Sequence, residues 1–247
     1  MGRMLPIPPE FKSLYKRHKY FRNSVVYKYT TSSVAEKMVE KGSMKIGSLL
    51  AYREIESEKL RDLSEGKNIA YTAEAISSDI VHDRNIIKRL IEIEEGCTGT
   101  FRNLGGEVNF DFPIICFSYV NNEETMLSLS DEKNNYDTCV QVSDILGLAE
   151  KVSDYLSNRF RSQAYFRCLP VYYRNRIRPF TEGSPPNDMA AFEKEPSFEA
   201  NAECRILFRC ESIDEHLILK FKDGATNDHI FELPSLKSHF EIVDISS

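Results

Sequence analysis

Short apolar runs rich in β-branched and aromatic residues outnumber the helical patterns in this chain, and no strand–helix–strand train recurs along it. That balance argues for an α+β fold: a bent or split, mainly antiparallel sheet with flanking helices. Residues 25–29 (Val-Val-Tyr-Lys-Tyr) read as a strand. Ser33 then offers an N-cap with Glu36 three residues on, and Val34, Ala35, Met38 and Val39 form an apolar helical face that stops at Gly42. Met44 and Ile46 alternate with polar residues as a second strand. A second helical stripe runs over 79–95, followed by a glycine-containing loop over 96–106. Residues 113–118 (Pro-Ile-Ile-Cys-Phe-Ser) are apolar without alternation, the signature of a buried strand. After a polar stretch at 121–136 come a strand at 138–142, a helix capped by Asp144 that runs to about Arg161, and a strand-like segment at 164–173. Pro179, Pro185, Pro186 and Pro196 with Gly183 predict a flexible loop over 179–197, before final strands at 203–208, 216–221 and 240–245.

With 247 residues, 41% of them hydrophobic, the chain can bury one sizeable core. The expected layout is a helical, basic-aromatic segment over 1–24 and a single α+β domain over 25–247. No run of eighteen apolar residues exists, so no membrane partner is expected. Prolines at 6, 8 and 9 and the lack of an apolar stretch argue against a secretory signal. Six cysteines without a C-x-x-C pair, several inside apolar runs, fit reduced buried thiols and a cytoplasmic location. The five histidines show no ligand spacing either, so no metal is expected. A net charge of −6 argues against a general nucleic-acid coat. Residues 11–22 alternate bases with aromatics, which suits either contact with nucleic acid or an amphipathic first helix.

Four constellations are candidates for chemistry. On a strand, Tyr27 and Tyr29 share one face and Lys28 the other, and such tyrosines either stack on a flat ring or simply half-bury in a sheet. The block Arg53, Glu54, Glu56, Asp62 and Glu65 suits a cleft, a buried ion network, a divalent cation or a solvated helix face. Asn201, Glu203 and Arg205, at alternate positions, point the same way if they share a strand. The guanidinium would then keep the carboxylate ionised, either for a ribose hydroxyl or as a structural ion pair. Arg174, Arg176 and Arg178 alternate likewise, as a phosphate-binding row or as charge on an edge strand.

These residues resemble an uncharacterised bacterial family, the domain of unknown function numbered 2971. The likeness spans roughly residues 25–210. It rests on Tyr27-Lys28-Tyr29; on the helix ending at Gly42; on Tyr52-Arg53 with Glu56, Asp62 and Glu65-Gly66; on Cys116-Phe117-Ser118 followed by Met126; and on Lys194, Phe198, Asn201, Glu203 and Arg205. Phe198 stands where the family has tryptophan, and Asn201 where it has a first glutamate. The family's layout is similar to that of ADP-ribosyltransferases. The resemblance implies an NAD-consuming effector of bacterial toxin or phage-defence type, with Glu203, Arg205 and Ser118 catalytic. It also implies that Tyr27, Lys28, Tyr29, Arg53 and Asn201 bind NAD, with Glu56, Asp62 and Glu65 as further site candidates. The acceptor would be a protein, a nucleic-acid base or water, and a protein regulator fits such an effector. Two alternatives stand beside it: a non-catalytic binding module using the 53–66 block as its surface, and a metal-dependent phosphodiesterase or nuclease. The enzyme reading expects Glu203→Ala to abolish activity with little change in thermal stability.

Overall fold

The apolar run at 113–118 becomes the pivot of the sheet. The computed structural model describes residues 3–6, 25–49, 52, 67–71, 76–77, 100–101, 105–109, 112–130, 135–175, 177–179, 187–210 and 229–246. Among the described residues nine strands form the main sheet. They are β1 (Arg3–Met4), β2 (Val26–Thr30), β3 (Ser43–Ser48), β4 (Pro113–Ser118), β5 (Thr138–Val142), β6 (Ala164–Pro170), β7 (Glu203–Cys210), β8 (His229–Glu232) and β9 (Phe240–Val243). The helices are α1 (Ser32–Lys41), α2 (Glu123–Leu129) and α3 (Ile145–Phe160). No described helix is long and apolar enough to cross a membrane.

The strand order is β1-β6-β7-β4-β2-β5-β9, with β8 and β3 branching off β4. All pairings in this sheet are antiparallel except β1 with β6. The α+β architecture with a mainly antiparallel sheet, expected from the sequence, is therefore present, and the sheet is open. The branch arises because β4 meets two strands along one edge. Ser118 pairs with Tyr27 of β2, whereas Ile114 and Pro113 pair with Gly47 and Ser48 of β3. Between them the Cys116 carbonyl faces the fork and accepts a hydrogen bond from Lys28 Nζ at 2.8 Å. An unpaired carbonyl at that depth would be costly, and the long lysine stem supplies the missing donor.

The two faces of β4 and β7 serve different cores. Ile115, Phe117, Cys204, Ile206 and Phe208 join Val26, Met38, Ile46, Val140, Leu148, Val152 and Phe166 in the larger cluster, against α1 and α3. Each such side chain adds roughly 1.5–3 kcal/mol when fully buried. Ile114 and Leu207 point the other way, into a smaller cluster with Leu49, Phe112, Leu169, Met189 and Phe192.

Local signals explain most boundaries. Asp144 caps α3, its Oδ1 accepting from the Gly147 N–H at 2.9 Å. Gly42 ends α1 in the left-handed region at φ 68°, and its N–H bonds back to Met38 O. The start of α1 departs from the capping box expected at Ser33. Thr31 is the cap residue and gives no side-chain bond; the Ser32 N–H instead donates to Asp137 Oδ1 at 2.7 Å, an acceptor from a distant segment. Val34, expected on the apolar face, is 44% exposed, and Ala35 and Met38 carry the burial.

Three further expectations change. The loop expected over 179–197 contains, where described, short 3₁₀ turns at Asn187–Phe192 and Pro196–Asn201 around a strand at Glu193–Lys194. Burial of Met189–Phe192 in the smaller core overrides the Pro/Gly signal there. The loop expected over 96–106 holds strand pieces at Thr100–Phe101 and from Gly105. The polar stretch 121–136 contains α2, with Asn122 Oδ1 accepting from the Thr125 N–H. The helix expected at 79–95, the strand at 216–221 and the basic-aromatic stretch 11–22 lie outside the described residues.

Candidate functional site

The site is built where β7 begins. Ala202, at φ 43° and ψ 51°, turns the chain out of the Pro196–Asn201 turn and into the strand at Glu203. Left-handed backbone at a residue with a Cβ costs on the order of 1 kcal/mol and is held by its surroundings. Here the Ala202 carbonyl accepts from the Tyr119 N–H at 2.9 Å and from Ser118 Oγ at 3.4 Å. Ladder pairing then sets Glu203 opposite Ser118, and Ser118 opposite Tyr27. Directly paired residues share a face, so Tyr27, Ser118 and Glu203 form one row across three adjacent strands. At about 4.8 Å per strand step that row spans roughly 10 Å.

Glu203 is 6% exposed, yet it is the hub of a charged cluster. Arg205 Nε donates to its Oε1 at 2.7 Å, and Lys194 Nζ donates to its Oε2 at 3.1 Å. The Cys116 thiol and the Tyr52 hydroxyl lie beside the same carboxylate, close enough for its charge to act on both. Burial alone would push the Glu203 carboxyl up, but Arg205 and Lys194 outweigh it and hold the group well below the usual carboxylate range. Burial and the neighbouring Glu203 charge drive the Cys116 thiol up to about 12, so it stays a neutral thiol rather than a nucleophile. The Tyr173 hydroxyl accepts from the Glu203 backbone N–H at 2.7 Å, and burial lifts its ionisation above the ordinary phenol range. Arg205, 1% exposed, also donates to the Ala191 carbonyl. Beside the cluster, Arg174 pairs with Glu193 and lies over the Tyr172 ring, 5.3 Å from its centroid.

Several of the residues singled out from sequence meet here. Glu203 and Arg205 share a face as their spacing predicts, with Ser118 in register beside them. Ser118 Oγ itself bonds the Val120 and Ala202 carbonyls and fixes the loop around Glu203. Asn201 is not on the strand: it ends the 3₁₀ turn, and its Oδ1 accepts from Ser128 Oγ at 3.1 Å. The left-handed turn at Ala202 breaks the alternation that would have aligned its amide with Glu203.

Lys28 lies on the face opposite Tyr27 and reaches into the fork, 5.9 Å from the Phe117 ring centroid. Its burial lowers its pKa. Tyr29 is 3% exposed, with its hydroxyl accepting from the Asn122 N–H at 2.9 Å and donating to the Val120 carbonyl at 2.8 Å, so that ring is enclosed. Arg53, Glu54, Glu56, Asp62, Glu65 and Arg176 lie outside the described residues, although Tyr52, which precedes that block, touches the cluster. Tyr173, Cys116 and Tyr52 were missed as site residues, since their roles come from pairings across the fold. Among the described residues no group of three His, Cys, Asp or Glu side chains is placed to hold a metal ion.

An ionised carboxylate fixed by two cations can accept from ligand hydroxyls and stabilise positive charge that develops nearby. Compared with protein-family models, curated proteins and solved structures, the chain finds no match.

Proposed function

We propose that the chain is an ADP-ribosyltransferase-like enzyme that consumes NAD, an effector of bacterial toxin or phage-defence type, with Glu203 as its catalytic carboxylate. The observation that supports this reading is the convergence on Glu203 of segments far apart in sequence. Tyr52, the Cys116–Ser118 strand and the Lys194–Arg205 segment meet at one carboxylate, in a row with Tyr27 at the fork of the sheet. They are also the pieces on which the family resemblance rests.

In this reading Glu203 accepts from a hydroxyl of the nicotinamide ribose and stabilises the oxocarbenium-like character at C1′ as the nicotinamide bond breaks. Arg205 keeps that charge in place and orients it. Tyr27, half-buried in the row, offers the aromatic face for the nicotinamide in place of the enclosed Tyr29. Ser118 fixes the loop that carries Glu203, Lys28 contributes positive charge behind it, and Arg53 supplies a cation at the pyrophosphate.

A second reading, a non-catalytic binding module of the same fold, is favoured by one observation: both Glu203 oxygens are already engaged by cations. Nicotinamide release from NAD, measured by chromatography, separates the two. The enzyme reading expects turnover by the wild type and a fall of about 10²-fold or more in Glu203→Gln. Equal rates in the two proteins would rule out Glu203 as the catalytic group. No turnover together with no calorimetric heat on adding NAD would favour the module.

A further inference from the structure

His239 closes a 3₁₀ turn, Pro234–His239, that leads directly into the edge strand β9. It is 7% exposed. Lys151 of α3 places its Nζ 2.8 Å from His239 Nε2 and donates to the Ser235 carbonyl at 2.7 Å. A lysine ammonium has hydrogens to give and no lone pair, so Nε2 accepts and the ring is neutral. The contact thus exists in one protonation state of the histidine.

The turn holds several parts of the fold together. Leu236 is fully buried in the larger core, and the Leu233 N–H donates to the Gly42 carbonyl at 3.1 Å, at the end of α1. The His239 carbonyl accepts from the Ser143 N–H at 3.2 Å, just past β5. Beyond β9, the Asp244 carbonyl accepts from Asn121 Nδ2 at 2.9 Å, and the Ser246 carbonyl from the Glu123 N–H at 3.1 Å. The segment that follows His239 therefore also secures the start of α2.

Among the described residues, the charges acting on the ring are Lys151, which opposes its protonation, and Asp144 at the cap of α3, which favours it. Asp144 Oδ1 is already occupied by the Gly147 N–H. Burial and Lys151 outweigh the carboxylate, and the His239 pKa is lowered from the ordinary histidine value. A second ring proton would sit on Nε2, facing the ammonium. Two cations cannot share that contact, and the half-buried Lys151 has a flexible stem on which to leave.

We propose that the Lys151–His239 contact is a pH-sensitive clasp on the C-terminal segment. A neutral ring holds residues 234–243 against α3; a protonated ring releases the lysine and loosens the turn, β9 and the start of α2. The clasp uses none of the Glu203 groups and owes nothing to the NAD reading. In sign, the folded chain takes up this proton less readily than the unfolded one. The clasp is therefore complete above about pH 6.5 and is lost as pH falls through that value toward the lower folded pKa.

The test is hydrogen exchange at pH ~7.5 and pH ~5 on the wild type, His239→Gln and Lys151→Met, corrected for the intrinsic pH dependence of exchange. Glutamine offers Lys151 an uncharged acceptor at both pH values; methionine keeps the lysine stem and removes its charge. The Ser143 and Glu123 amides report on the segment, and the Ile115 amide on the central sheet. In the wild type, protection of the two reporters relative to Ile115 should fall about tenfold on acidification. The fall should stay within about threefold in His239→Gln and be smaller than the wild type's in Lys151→Met. No fall in the wild type, or an equal fall in His239→Gln, overturns the clasp. Should His239→Gln fail to melt cooperatively, Lys151→Met decides, and a fall there as large as the wild type's overturns it equally.

Discussion

At the scale of the residue, Glu203 is the decisive group, and its burial changes what a mutation there does. Removing one partner of a buried ion cluster leaves the remaining charges uncompensated. Glu203→Ala is therefore expected to cost roughly 3–5 kcal/mol, measured by urea denaturation. The structure thus reverses the sequence-based expectation that stability would barely move, because that expectation treated the residue as lining an open cleft. Glu203→Gln keeps the shape and is the better probe of chemistry. The folded-state pKa of Glu203 lies below the unfolded value of about 4.3. Its contribution is therefore full well above that pH and is lost as pH falls below it toward the folded value. The stability gap between wild type and Glu203→Gln should be widest near neutrality and shrink as buffers are taken toward pH ~3. A gap independent of pH would show that the carboxylate titrates alike in both states. The Glu203/Arg205 pairing was legible in sequence, since residues two positions apart on a strand must share a face. Lys194 and Cys116 figured in the quoted motifs without a role at the site, and Tyr173 stood only inside a strand-like segment. Their contacts come from neighbouring strands and turns, and nothing local in the chain records them.

At the scale of the element, the caps set the boundaries and are separately testable. Asp144→Ala removes the acceptor for the Gly147 N–H and should lower stability by about 1 kcal/mol in a denaturant titration. Gly42→Ala should cost more, about 2 kcal/mol or above, because a Cβ there would sit 2.1 Å from the Leu233 carbonyl oxygen on a backbone at φ 68°. An unchanged melting temperature for Gly42→Ala would mean that the α1 terminus rearranges. Elements whose signals are local were readable: β4 and β5 fall where their apolar runs end, and α3 starts at its aspartate. α2 was missed inside a polar stretch, although Asn122 followed by Glu123 and Glu124 is a start signal, an amide cap ahead of an acidic first turn. The start of α1 was misread because its acceptor, Asp137, lies more than a hundred residues away.

At the scale of the whole molecule, the fork makes β4 and β7 the most enclosed part of the sheet and leaves β8 and β9 at its limits. Native-state hydrogen exchange should find the amides of Ile115 and Ile206 among the slowest and those of Ile230 and Ile242 among the fastest. Equal protection across the sheet would mean that it opens only as a unit. The unlike surroundings of the two sides of β7 also bear on how the chain finds its fold. Were β7 to dock on its neighbours displaced by a single position, the guanidinium of Arg205 would be thrust into the larger core among Ile115, Phe117 and Phe166, and Ile206 and Phe208 would be turned out toward the charged face. Misaligned intermediates would thus be far costlier than in a sheet greasy on both sides. The acid and its basic companions act as a proofreader of assembly, whatever ligand they later meet.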